Sequence, residues 1–148
     1  MRVVRRVLVT GSRAWGWAAR PLVWAALDRE MEECPEDADF EVIHGGAKGP
    51  DRDAQAWVDD YIARFDPTRF AGVSARKFDP DYAMYYANVA PLMRNQMMVD
   101  EKPYRCLAFH WGESTGTADC IDRCWRAFIP VHIYRPGQPE PEIITPLF

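Results

Sequence analysis

Short apolar runs that stop at a glycine-containing turn and give way to a helical pattern recur along this chain, and the alternation restricts its fold more than any other feature. The run "RVLVTG" (6–11) precedes the segment from Ala18 to Glu33, where Leu22, Val23, Ala26, Leu27 and Met31 recur at helical spacing. "FEVIHG" (40–45) precedes a helix that should open near Pro50 or Asp51, with Ala54, Trp57, Val58, Tyr61 and Ile62 as its apolar face. "GVSARKF" (72–78) is a third strand, followed by a helix from about Ala90 to Asp100 whose expected core contacts are Leu92, Met93, Met97 and Met98. "RCLAFHW" (105–111), a helix within "STGTADCIDRCWRAF" and a strand "PVHIYR" complete the series. Parallel neighbours need crossover connections, and helices supply them. The expected fold is therefore α/β, a Rossmann-like three-layer sandwich with a mostly parallel, about five-stranded sheet. No linker composition divides residues 1–148, which read as a single domain with a proline-rich tail from about residue 136.

Bulk properties narrow the function classes. No apolar run approaches the ~18 residues needed to cross a bilayer, and Gly11 comes too early for a signal-peptide core, so no membrane partner and a cytoplasmic location are expected. The formal net charge is −4, which leaves no broad cationic footprint for long nucleic acid. Yet 15 of the 18 basic residues are arginine, whose forked guanidinium suits small phosphorylated ligands. Cys34, Cys106, Cys120 and Cys124 show no paired CxxC spacing. Cys120 and Cys124 would share a helix face as small buried residues, with no disulfide, no metal site and no cofactor expected.

Three loops follow strands at the edge where such sheets bind ligands: "TGSR", "HGGAKG" and "HWGESTGT". Glycine lets backbone approach a ligand closely, and the second and third loops lead into helix N-termini that favour an anion. The candidate phosphate cradle comprises Gly11, Ser12 and Arg13, then Gly45, Gly46, Ala47, Lys48, Gly49 and Asp51, then Ser114, Thr115, Gly116 and Thr117. The spacings GxxxxGK[ST] and GxGxxG are both absent, which argues against a P-loop or an ordinary dinucleotide fold.

Taken in order, "VTGSRAW", "VIHGGAKGPDRDAQAW", "MRNQMMV" and "LAFHWGESTGT" resemble the SLOG superfamily, the Rossmann-like group of DNA-processing protein A and the Lonely Guy phosphoribohydrolases. The likeness is nearest to its YspA, YpsA-related branch and runs from about Val7 to Val131. It implies a nucleotide or nucleotide-derived ligand over the three loops, with Arg94 and Asn95 of "MRNQMM" as further contacts. Lonely Guy enzymes cut the N-glycosidic bond of nucleoside 5′-monophosphates, using an arginine in RKxxM and a glutamate in PGGxGTxxE. Here Arg94 matches that arginine, Asn95 replaces the lysine, and Cys120 stands at the glutamate position.

Cysteine serves poorly where a carboxylate should stabilise an oxocarbenium-like state or activate water. Asp119, one position earlier, would point about 100° away around a helix. Asp51 and Asp81 are carboxylates on other loops. The sequence thus favours a binder of a nucleoside monophosphate or an ADP-ribose type of compound, for sensing, sequestration or delivery. A phosphoribohydrolase using Arg94 and Asp119 is the alternative, and single-stranded DNA binding a second. Asp51 reads as a helix cap or a ribose ligand. His44 and His110 read as packing residues rather than catalysts. Among Trp15, Trp17, Tyr82, Tyr85 and Tyr86, Trp15 is the first choice to stack on a base. The methionine-rich helix offers a surface for a homo-oligomer.

Overall fold

The computed structural model describes residues 3–64 and 72–146. Strands β1 (Val4–Gly11), β2 (Asp39–His44), β3 (Val73–Lys77), β4 (Arg105–Phe109), β5 (Val131–Tyr134) and β6 (Glu142–Ile144) form one sheet in the order β3-β2-β1-β4-β5-β6. Helices α1 (Arg20–Glu33), α2 (Pro50–Ala63), α3 (Ala90–Asp100) and α4 (Thr115–Arg126) connect them. The first five strands run parallel, as the alternation requires. The sixth arises in the proline-rich tail and pairs antiparallel with β5, beyond the expected five.

Side chains alternate across the pleat, so each central strand feeds two cores. Val7 and Val9 of β1, Phe40 and Val42 of β2 and Leu107 and Phe109 of β4 pack on one face with Val23, Ala26 and Leu27 of α1 and Ala54, Trp57 and Val58 of α2. Leu8, Ile43, Cys106 and Ala108 face the other way, against Met98 and Val99 of α3 and Cys120 and Cys124 of α4. Each large side chain buried this way contributes roughly 1.5–3 kcal/mol, which is what fixes the strand register.

Two local expectations shift. The first helix begins at Arg20, because a single 3-10 turn at Arg13–Trp15 and the positive φ of Gly16 occupy the preceding loop. The buried stripe of α3 is Asn95, Met98 and Val99, while Met97 lies outward and Leu92 and Met93 are half-buried. A polar residue enters that stripe because Asn95 bonds to α4, and this rotates Met97 away from the sheet. No helix among the described residues is long and apolar enough to cross a membrane.

Candidate functional site

Strand order reverses direction between β1 and β4, and the loops that leave β1, β2 and β4 meet over that switch point. They enclose a cleft of about 430 Å³. Of the sequence-derived set, Gly11, Arg13, Ala47, Asp51, Arg94, Asn95, Ser114, Thr115, Gly116 and Thr117 line it. Thr10, Pro91, Met98 and Glu113 also line it and had escaped the sequence reading, though Glu113 stands inside the third loop. Ser12, Gly45, Gly46, Lys48 and Gly49 are not in its wall.

Asp51 neither caps α2 nor faces solvent. It is buried, and its Oδ2 accepts hydrogen bonds from the backbone N–H of Gly45 (3.0 Å) and Ala47 (3.2 Å), folding the second loop around one carboxyl group. Burial pushes its pKa up to about 7, against the lowering effect of those N–H donors and of the Arg94 guanidinium. Arg94 closes the same loop from α3: its Nη1 donates to the carbonyls of Gly45 (2.8 Å) and Phe78 (3.3 Å), and its Nε to Asn95 Oδ1 (3.2 Å). A Cβ on Gly45 would overlap that guanidinium and push it from its present place.

The first and third loops are stitched together by hydroxyls. Ser12 is buried, and its Oγ accepts from the Trp111 N–H (2.9 Å) and lies 3.4 Å from Thr117 Oγ1. Ser114 caps α4, accepting from the Thr117 N–H at 3.5 Å. Gly11 packs against α2, where an added Cβ would run into the Pro50 ring. Gly11→Ala is therefore expected to cost about 1–3 kcal/mol, the usual penalty of overpacking, read as a lowered urea midpoint.

Asp119 does not reach the cleft. Its Oδ2 accepts from Arg123 Nε (2.8 Å) and Asn95 Nδ2 (3.1 Å), and it borders a separate groove with Gln96 and Asp122. The turn around α4 that separates it from Cys120 carries it to that side. Cys120 is itself fully buried beneath the sheet.

Trp15 is a correction to the stacking expectation. It is buried, its Nε1 donates to the Phe109 carbonyl (2.9 Å), and its ring meets Trp111 edge-on at 5.0 Å, so it props the first loop against the third. Of the other aromatics, Trp17, Tyr82 and Tyr86 are exposed, and none of the set lines the cleft. His44 is a packing residue: its Nδ1 accepts from the Gly46 N–H (2.9 Å), which leaves the proton on Nε2 to meet Gln55 Oε1 (2.8 Å). Burial lowers its pKa and keeps the ring neutral. His110 borders a different hollow, between α4 and β5.

The first two loops fall inside the segment, residues 5–67, that matches a family model described as the YspA, cpYpsA-related SLOG family. The chain is also 36% identical over 128 residues to the Gene 61 protein of Mycobacterium phage D29, covering 86% of this chain and 94% of that protein. No solved structure matches it. The family match spans two of the three loops that meet at the cleft, the phage relative extends over 86% of the chain, and the chain belongs to the YspA, cpYpsA-related SLOG family.

Proposed function

We propose that the cleft binds a nucleotide or nucleotide-derived phosphorylated ligand, of nucleoside monophosphate or ADP-ribose type, for sensing, sequestration or delivery. The observation that carries this is the convergence of two guanidinium groups and a helix N-terminus on one cleft. Arg13 stands exposed at the wall, Arg94 stands half-buried, and the first turn of α4 offers the N–H groups of Thr115 and Gly116, which have no acceptor within the helix. A Cβ on Gly116 would meet nothing within 4 Å, so a phosphate has room against that backbone. A volume of about 430 Å³ lies in the range of small-molecule sites.

A second reading, nucleotide N-glycosidase, draws on Asp51. In that reaction the oxygen of water bonds to the ribose C1′ as the C1′–N bond breaks, its electron pair goes to the base, and the water proton follows. A carboxyl group with a pKa of about 7 can take and return that proton at neutral pH. The test incubates the protein with nucleoside monophosphates, NAD and ADP-ribose and analyses retained and released compounds by mass spectrometry. An intact retained compound is the expected result. Free base with ribose 5-phosphate, lost in Asp51→Asn, would replace binding by hydrolysis, and the absence of both a retained compound and a released base would remove the site.

A further inference from the structure

The sequence pairs Cys120 with Cys124 on one helix face, and the fold brings a third thiol to them. Cys106, on β4, meets both, and the three sulfurs lie within 4.8 Å of one another. All three side chains are completely buried. Cys34 belongs to the core on the opposite face of the sheet. Three sulfurs bound to one centre at about 2.3 Å stand on the order of 3.5–4 Å apart, so the cluster needs to contract by roughly 1 Å or less to close on a single atom.

Burial decides what that atom can be. The cluster lies among Leu8, Ile43, Met98, Val99 and Val131. Three thiolates around a monovalent soft cation would carry two negative charges, and around a divalent one a single negative charge, each costly in an apolar shell. A structural zinc also takes four ligands, and among the described residues no fourth histidine, cysteine or carboxylate joins this group. A trivalent metalloid forms a neutral complex with three sulfurs. We propose that Cys106, Cys120 and Cys124 form a binding site for a trivalent metalloid of the arsenite class.

Atoms and charge balance without an oxidant. Three As–O bonds of arsenous acid break, three S–As bonds form, and each thiol proton leaves with a hydroxyl group as water. Access runs through the floor of the cleft, where Thr10 lines the wall and its hydroxyl donates to the Cys120 sulfur. Loading requires this floor to open locally, so it should be slow relative to diffusion.

The test uses the whole reduced protein and sodium arsenite, with zinc and cadmium salts in parallel. Native mass spectrometry should show a gain of one arsenic less three hydrogens, and the thermal midpoint should rise as arsenite is added. Cys34→Ala should bind as the parent does, and Cys124→Ala should bind at least about 100-fold more weakly, a difference of about 2.7 kcal/mol. Arsenic X-ray absorption on the parent protein decides the matter even if a core variant fails to fold. A shell of three sulfurs is expected, and a retained oxygen, the absence of any arsenic adduct, or binding of zinc or cadmium in preference to arsenite would overturn the proposal.

Discussion

At pH 8 the Asp51→Asn protein is expected to be more stable than the parent by on the order of 3 kcal/mol, with the difference vanishing near pH 4. The folded carboxyl has a pKa of about 7 against 3.8 as the ordinary value, so between those limits the fold keeps a proton that the unfolded chain has released. The unfolded chain then binds fewer protons, and stability falls as pH rises through that window. A shift of about 3 units corresponds to at most about 4 kcal/mol. Asparagine presents an oxygen to the same N–H groups of Gly45 and Ala47 without ever ionising. The histidines bias the parent's own profile the opposite way: His44, His110 and His132 all have lowered values, so each loses stability as pH falls. Subtracting the variant's urea-derived profile from the parent's removes their share. A flat difference between pH 4 and 8 would mean that Asp51 carries no buried proton.

Arg94→Ala should weaken binding of a nucleoside monophosphate by about 100-fold and lower stability by roughly 1.5–3 kcal/mol. Two effects combine. The guanidinium lines the cleft as a cation, and its Nη1 also bridges the carbonyls of Gly45 and Phe78, tying the loop after β2 to the chain leaving β3. Arg94→Lys should recover part of the affinity and little of the stability, since one ammonium cannot reproduce the fork that meets both carbonyls and Asn95. Calorimetric titration beside chemical denaturation separates the two effects. Full affinity in a folded Arg94→Ala protein would take the phosphate away from this cleft.

The fold was legible because its signal is local. β1, β2 and β5 announced themselves by β-branched runs, β4 by the apolar stretch RCLAF and β3 chiefly by its place in the alternation, each helix showed its spacing, and the crossover rule then set the loops after β1, β2 and β4 side by side. β6 was not legible, since Glu142–Ile144 is three residues long and sits between prolines, and only pairing with β5 makes it a strand. Within the site, the loops were found by composition, but the roles inside them depend on distant partners. Nothing in "AKGPDRD" reveals that Asp51 turns back to Gly45 and Ala47, and nothing near Trp15 reveals that its indole N–H meets the Phe109 carbonyl, 94 residues away. Cys106 joins Cys120 and Cys124 for the same reason, across the distance between a strand and the helix that follows it.

The order β3-β2-β1-β4 sends the connection after β3 over two strands, so the cleft is a seam between an earlier and a later half of the chain. Thr10, Arg13, Ala47 and Asp51 stand on one side, and Arg94, Asn95, Glu113 and Thr117 on the other. A molecule lodged there is fastened to both, and its binding energy adds to the energy with which the halves dock. Such a ligand would act as a clasp across the seam, joining the earlier half of the chain to the later one.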